Sequence, residues 1–181
     1  GGFHHQRQTM RIVERLEQRY PGFPGLNLTY EVREGLVKHD TDYDVSDATG
    51  YEPDKAGTLE AQIANLADEI AYNTADLDDG LRSGILEPAA VAQVSLWQMA
   101  RQALATAPEF PAAADAPLDS LLRARLIRKL IAAEVTDAIS ATGRRLERCD
   151  VQSVADVRNQ GQNIAGFSAD MASRGKVPGS R

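Results

Sequence analysis

Residues 59–84 read LEAQIANLADEIAYNTADLDDGLRSG, and this stretch decides the fold class. Its aliphatic side chains recur at intervals of three, four and seven residues, which is the pattern of an amphipathic α-helix. Thr58 is suited to cap the start of such a helix, and Gly84 is suited to end it. The stretch therefore predicts a helix from about Leu59 to Arg82, whose aliphatic side is formed by Leu59, Ile63, Leu66, Ile70, Leu77 and Leu81.

The same three-to-four spacing recurs on both sides of this stretch and predicts further helices. They run from about His5 to Arg19, Thr29 to Lys38, Pro88 to Ala107 and Leu118 to Thr142, with a short one around Val154. No strand-type alternation persists anywhere in the chain. The sequence therefore predicts an all-α fold.

Local signals predict where these helices begin, end and face. The breakers of residues 21–25 stop the first helix, and Thr29 caps the second. Gly143 ends the helix that begins near Leu118. Residues 40–57 are predicted to form an acidic loop, and residues 108–117 an Ala/Pro connector. The side chains predicted to face inward are Leu28, Val32 and Leu36 on the second helix, and Leu122, Leu126, Leu130 or Ile131, Val135 and Ile139 on the last.

The composition excludes several classes of protein. The chain has 181 residues, of which 43% are hydrophobic and 25% charged, as in an ordinary globular domain. Its single cysteine, Cys149, excludes a disulfide scaffold and a Cys-based zinc site within this chain, and we expect a cytoplasmic protein. No apolar run approaches the roughly 18–20 residues that a membrane span needs. The net charge of −6 argues weakly against binding to membrane surfaces or nucleic acid, so nucleic acid is a possible partner that nothing indicates.

A line of polar residues on the longest helix is the most informative feature of the sequence. Asp68, Tyr72 and Asp76 are four residues apart and share one side of the helix within an arc of about 80°. One interpretation is a solvated acidic face. The other is the polar wall of a cleft, because the flanking Ala64, Ala67, Ala71 and Ala75 would let another helix approach closely. A metal site on this line would need ligands from another segment.

Three other polar groups have weaker signals. Asp40–Asp44 resembles the start of a calcium loop, but Val45 and Tyr51 stand where such a loop needs Gly and Glu, which favours a solvated loop. The basic set of Arg123, Arg125, Arg128 and Lys129 fits the wet face of a helix better than a phosphate site. His39 is placed to interact with the carboxyl end of a helix.

Several blocks of the sequence resemble one enzyme family. Phe3–Val13 resembles the Phe-Glu-His-Asn-x-Gln-Ser-x-Arg-Ile stretch of the deoxyguanosine-triphosphate triphosphohydrolases, which are bacterial dNTPases of the HD superfamily. The resemblance continues through Arg15–Thr29 and Glu34–His39, and it is most specific in Leu59–Gly80. It covers the first half of the chain closely and residues 85–168 more loosely.

The resemblance implies a fold, a reaction and a set of site residues. It implies part of an HD-domain-like helical bundle that hydrolyses dNTPs at the α-phosphate, releasing deoxynucleoside and inorganic triphosphate. Asp68 resembles the last ligand of a divalent metal (Mg²⁺, Mn²⁺ or Fe²⁺), whose other ligands are a His and a His-Asp pair further upstream. Tyr72 resembles the tyrosine that packs on the sugar, and Asp76 the aspartate that accepts a hydrogen bond from the 3′-hydroxyl. His5 resembles the histidine that assists departure of the leaving oxygen.

The ends of the chain suggest how this segment relates to a whole protein. The sequence begins without Met and enters a helical pattern within a few residues, so we expect a piece of a longer protein that is inactive alone. Residues 1–107 are predicted to be the C-terminal part of an HD-type catalytic core, and residues 108–181 a helical continuation with a poorly structured tail. The resemblance also implies a dNTP substrate and a homo-oligomer. Two alternatives stay open: a non-catalytic helical assembly module of HD ancestry, and an HD phosphohydrolase acting on another nucleotide or on single-stranded nucleic acid.

Overall fold

Eight α-helices make up most of the regular structure of the described residues. The structure is a computed structural model that describes residues 5–39, 50–110, 113–160 and 163–174. Within these ranges there is no β-strand, only two isolated bridges in one loop, so the predicted all-α fold is confirmed. The helices are α1 (His5–Arg11), α2 (Tyr30–Val37), α3 (Leu59–Ser83), α4 (Pro88–Val91), α5 (Ser95–Ala105), α6 (Ser120–Arg148), α7 (Val154–Arg158) and α8 (Ala169–Arg174).

Helix α3 begins and ends where the sequence predicts. The backbone N–H of Ala61 donates to Thr58 Oγ1 over 3.3 Å, which is an N-cap. Gly84 follows the last helical residue with a φ of +76°, a conformation that glycine adopts without steric cost. The predicted inward direction of Ile63 is wrong, because this side chain is exposed. In that part of α3 the buried side chain is Gln62, whose Oε1 accepts the backbone N–H of Ile164 over 2.7 Å.

The first helix is shorter than predicted. After α1 the chain makes one π-helical turn over Ile12–Leu16, and it turns extended at Glu17, before the predicted end at Arg19. The following loop folds back onto this turn, with hydrogen bonds from Gly25 N–H to Glu17 O (2.8 Å) and from Leu26 N–H to the turn. Gly25 has a φ of +79°, and a Cβ at this position would lie 2.5 Å from the backbone of Glu14. Glycine therefore permits the close approach that ends the helix early.

Helix α2 keeps its predicted cap but buries a different side. Thr29 Oγ1 accepts a hydrogen bond from Val32 N–H over 3.4 Å, so the predicted N-cap is confirmed. The predicted inward direction of Val32 is wrong, since its side chain is exposed. Glu34 is fully buried instead, and it receives hydrogen bonds from Lys38 Nζ (2.9 Å) and from Arg158 Nη2 of α7 (2.7 Å). The buried side of this helix is therefore formed by the ion-paired Glu34 together with Val37.

The helix predicted from Pro88 to Ala107 is two helices. Between α4 and α5 the backbone is extended at Val94, with ψ of 124°. In one continuous helix Val91 and Trp97 would point about 120° apart. The break lets both side chains enter the same buried cluster, which explains why the single-helix prediction is wrong.

Helix α6 does not end at Gly143 as predicted but continues to Arg148. Beyond the glycine, Arg145 Nη1 donates to the backbone oxygen of Ile164 over 3.1 Å and gives the last turn a tertiary partner. The predicted burial of Leu122, Leu126 and Leu130 is confirmed.

The inward stripe of α6 shifts in its second half. Val135 and Ile139 are exposed, which corrects the prediction, and the buried residues are Ala138, Ala141 and Thr142. These residues are small, and the segment of residues 166–168 packs over this side. Thr142 Oγ1 accepts the N–H of Gly166 over 3.3 Å, and Asp137 accepts the N–H of Ser168 over 2.8 Å.

The chain divides into two units. Unit 1 consists of Gly1–Leu66 and Arg145–Ala165, and unit 2 of Ala67–Arg144 and Gly166–Arg181. The main apolar cluster lies in unit 2, and its buried members are Val91, Trp97, Ala100, Leu104, Ala113, Leu122, Leu126 and Leu130. Unit 1 buries Val37, Val157 and Ile164 together with polar groups. This division does not test the predicted domain boundary near residue 107, which stays a prediction.

The remaining predictions concern the ends, the loops and the membrane. Helix α7 confirms the short helix predicted near Val154, whereas α8 was not predicted. The calcium-like segment Asp40–Asp44 and the tail from residue 175 lie outside the described residues. In the part of the chain that the structure describes, no helix combines the length and apolar character that crossing a membrane requires.

Candidate functional site

The predicted polar line lies on one side of an uninterrupted helix. Asp68, Tyr72 and Asp76 all belong to α3, and their side chains are exposed. Ile70 and Thr74, on nearly the opposite side, are each only 5% exposed. Thr74 Oγ1 donates to the backbone oxygen of Ile70 over 2.6 Å, so this hydroxyl can be buried. Burial of the opposite side holds the polar line outward.

The alanines beside the polar line are exposed as well. Ala64, Ala67, Ala71 and Ala75 add only small side chains beside this line, and Tyr72 within the line is 54% exposed. A large aromatic ring between two carboxylates, with small residues around it, can bind a sugar ring by its face and hydroxyl groups by its flanks.

A further carboxylate of α3, Asp78, has a structural role. Arg123 Nε of α6 donates to Asp78 Oδ1 over 2.8 Å, and Arg82 donates to Oδ2 over 2.6 Å. The hydrogen bond from Arg123, aided by the charges of both arginines, lowers the pKa of Asp78. Arg123 therefore links α6 to α3, and its predicted position on a solvent-exposed basic face is wrong. Arg125, another member of that basic set, places its guanidinium carbon 5.5 Å from the centroid of the Phe110 ring.

A carboxyl group of α6 has the opposite electrostatic character. Glu134 is half-buried, and its Oε2 is enclosed without a hydrogen-bond partner. Burial, and to a lesser extent the charge of Glu69 on α3, raise the pKa of Glu134. Glu69 is adjacent in sequence to Asp68. The carboxyl group of Glu134 thus resists ionisation and is within electrostatic range of Glu69, the residue that follows Asp68 in the sequence.

The predicted catalytic histidine begins α1 in unit 1. The half-buried ring of His5 packs edge to face on the ring of His39, with centroids 6.3 Å apart and planes at 82°. His39 Nδ1 lies 2.5 Å from Oδ1 of Asn65 on α3. The buried Gln6 donates from Nε2 to the backbone oxygen of His39 over 3.3 Å. We call His5, Gln6, His39 and Asn65 the histidine cluster; it belongs to unit 1, and the polar line belongs to unit 2.

Curated proteins resemble the chain over nearly its whole length. A deoxyguanosinetriphosphate triphosphohydrolase-like protein of Geobacter sulfurreducens is 40% identical over 179 residues, which are 97% of this chain and 45% of that protein. Proteins of the same name from Ralstonia pickettii and Deinococcus deserti are 39% identical over 98% and 94% of the chain, and over 45% and 40% of their own lengths. The chain belongs to this deoxyguanosinetriphosphate triphosphohydrolase-like family. It spans less than half the length of these relatives, and no protein-family model matches it.

In this family member the described residues do not form a complete metal centre. Among residues 5–39, 50–110, 113–160 and 163–174, no group of three or more His, Cys, Asp or Glu side chains is placed to hold a metal ion. Asp68 offers one carboxylate, which suits a hard divalent cation but does not hold one alone. The donor set of the described residues therefore does not by itself fit a catalytic metal.

Two features of this triphosphohydrolase-like chain differ from what its local sequence patterns indicate. The sequence predicts that His39 interacts with the carboxyl end of a helix, whereas its ring Nδ1 bonds Asn65, 26 residues further along the chain. The sequence signal for this contact is the polar Asn65, which lies between the apolar residues Ala64 and Leu66. Glu134 was detectable from helical periodicity, because it lies four residues from the buried Leu130 and four from the buried Ala138.

Proposed function

We propose that the chain is part of a metal-dependent dNTP triphosphohydrolase, which hydrolyses its substrate at the α-phosphate to deoxynucleoside and inorganic triphosphate. The observation that carries this proposal is 40% identity, over 97% of the chain, to a protein named deoxyguanosinetriphosphate triphosphohydrolase-like. The outward line of Asp68, Tyr72 and Asp76 on α3 supports it, since it offers groups that can contact a sugar and its hydroxyls.

Each residue of the polar line has a proposed role. Asp68 is one ligand of a divalent metal, Mg²⁺, Mn²⁺ or Fe²⁺, and the other ligands come from beyond the described residues. The exposed ring of Tyr72 packs on the deoxyribose and leaves no room for a 2′-hydroxyl. Asp76, when ionised, only accepts hydrogen bonds and therefore suits the 3′-hydroxyl of the sugar. Successive residues of the line rise by about 6 Å along the helix axis, which is comparable with the span of a nucleoside sugar.

His5 has a separate proposed role. An imidazole can donate a proton to a departing oxygen at neutral pH, and we assign this step to His5. We further expect the full-length protein to be a cytoplasmic homo-oligomer.

The experiment that tests this function uses the full-length protein. It is incubated with dGTP and Mn²⁺, and the inorganic product is separated by anion exchange. We expect triphosphate, and we expect Asp68→Asn to abolish its release. The matched control is Glu60→Gln, which changes another exposed carboxylate in the first turn of the same helix and is expected to leave activity unchanged.

Other products would identify the alternatives. Release of pyrophosphate or phosphate from dGTP would indicate a different phosphohydrolase, and a full-length protein inactive on all dNTPs and other nucleotides would indicate a non-catalytic module. We expect the 181-residue chain alone to be inactive, because one carboxylate does not hold a catalytic metal. Robust Mn²⁺-dependent triphosphate release by this chain would show that Asp68 is not the ligand we propose.

A further inference from the structure

The proton on the His39 ring can be assigned from its neighbours. Asn65 Nδ2 donates to the backbone oxygen of Lys38 over 3.5 Å, and a carbonyl oxygen only accepts hydrogen bonds. This contact orients the amide so that Asn65 Oδ1, also only an acceptor, faces His39 Nδ1. The proton of a neutral His39 therefore lies on Nδ1, and its Nε2 is unprotonated.

His39 is also held in place through its backbone. Gln6 of α1 donates to the backbone oxygen of His39, and Gln6 is itself buried. The preceding residue, Lys38, is fixed by three bonds from its Nζ, to Glu34 Oε1 (2.9 Å), Glu52 O (2.9 Å) and Lys55 O (2.7 Å). The ring of His39 is thus anchored through α1, through α3 and through the residue before it.

We propose that His39 is a positioning residue for His5, and that the hydrogen bond to Asn65 Oδ1 fixes the His39 ring as the Nδ1–H tautomer. The edge-to-face contact at 6.3 Å makes the His39 ring a wall against which the His5 ring is oriented. The His39 ring can orient the His5 ring only if it does not itself rotate, and the hydrogen bond from His39 Nδ1 to Asn65 prevents that rotation. The part of this inference that concerns proton donation by His5 rests on the proposed function.

The tautomer is measured without any substrate. Long-range ¹H–¹⁵N correlation spectra of the ¹⁵N-labelled chain, recorded at a pH where His39 is neutral, distinguish Nδ1–H from Nε2–H. We expect Nδ1–H in the wild type and in Asn65→Asp, whose carboxylate still accepts the bond. In Asn65→Ala, which removes the acceptor opposite Nδ1, we expect the fraction of the Nε2–H form to rise, together with changed ring signals of His5. Asn73→Ala removes an exposed amide from the same helix and is expected to leave both rings unchanged.

The positioning role is measured in the full-length protein with dGTP. His39→Ala is expected to lower kcat roughly 10- to 100-fold, the scale of a misplaced reacting group, with KM nearly unchanged because His39 does not touch the substrate. Asn65→Asp should retain more of kcat than Asn65→Ala, a rescue that a merely structural role would not produce.

Specific results would overturn the inference. An Nε2–H wild-type ring would refute the tautomer assignment, even if Asn65→Ala failed to fold. A tautomer that is insensitive to Asn65→Ala would do the same, and equal activity of the His39→Ala variant would refute the positioning role. If the wild-type protein hydrolyses no dNTP, the proposed function fails and the proton donation with it, while the spectra still decide whether His39 orients His5.

Discussion

Tyr72 is the residue from which selection of the sugar can be tested. Its exposed ring lies four residues, or about one helical turn, from Asp68 on one side and from Asp76 on the other. The role that we propose for Tyr72 predicts that Tyr72→Ala in the full-length protein opens room beside C2′, so we expect the ratio of kcat/KM for dGTP to that for GTP to fall toward one. Tyr72→Phe keeps the ring and should keep the ratio. An unchanged ratio in Tyr72→Ala would mean that the Tyr72 ring does not discriminate against a 2′-hydroxyl.

Asp76 makes a different prediction about the same sugar. A hydrogen bond to a charged group contributes roughly 1.5–3 kcal/mol, so Asp76→Ala should lower kcat/KM for dGTP by about 10- to 150-fold. The loss should vanish with 2′,3′-dideoxy-GTP, which has no 3′-hydroxyl to donate the bond. An equal loss with both nucleotides would place the effect of Asp76 elsewhere than at the 3′-hydroxyl.

At the scale of a single element, two glycines distinguish the interior of a helix from its end. Gly143 lies inside α6, and a Cβ added there would meet nothing within 4 Å. Gly143→Ala should therefore raise the free energy of unfolding by about 0.5–1 kcal/mol. Gly84→Ala is the matched control and should lower it, because its φ of +76° strains any residue with a Cβ. Urea unfolding of both variants measures the two signs, and a destabilised Gly143→Ala would contradict the helical conformation and open space at this position.

Helix α6 also carries a prediction about pH. Because the pKa of Glu134 is raised in the folded protein, the folded state holds its proton more tightly than the unfolded state, whose ordinary value is 4.5. The resulting stability is fully present below pH 4.5 and is lost as pH rises through the raised pKa. Glu134→Gln should therefore be more stable than the wild type at pH 7 and differ little at pH 4, as measured by urea unfolding. Glu69→Gln, which removes only the lesser cause, should show a smaller gain at pH 7.

The helices show which features of the fold local sequence patterns predict and which they do not. The caps of α2 and α3 were predictable because Thr29, Thr58 and Gly84 act on residues next to them in sequence. The polar line was predictable for the same reason, since it needs only the helical period. The inward side of α6 beyond Leu130 was not, because burial there follows Ala138 and Thr142, whose small size gives little hydrophobic signal. Contacts such as that of His39 with Asn65 depend on tertiary packing, which no local pattern encodes.

At the scale of a whole unit, unit 1 depends on a buried ion pair. Glu34 is fully buried between Lys38 and Arg158, and Arg158 also bonds Glu52 over 2.7 Å. Arg158→Ala leaves the buried carboxylate with only one cation, and we expect it to lower the free energy of unfolding by about 3–5 kcal/mol. The control Arg128→Ala, at an exposed position of α6, should change it by less than about 0.5 kcal/mol. The double variant Glu34→Leu/Arg158→Met should recover part of the loss, because the buried carboxylate is removed together with its arginine, while Lys38 Nζ keeps its bonds to the backbone oxygens of Glu52 and Lys55.

The position of Arg158 in the chain also matters for biosynthesis. It follows Glu34 by 124 residues, and all of residues 67–144, which belong to unit 2, emerge from the ribosome between them. At about 5–20 residues per second, a nascent Glu34 waits about 6–25 s for its partner. During that interval Glu34 lacks one of its two cations, and we expect the N-terminal part of unit 1 to be accessible to chaperones and proteases. A stop codon between residues 145 and 157 would make the interval permanent, and we expect a chain that ends there to be degraded because the buried carboxylate near its beginning never gains Arg158.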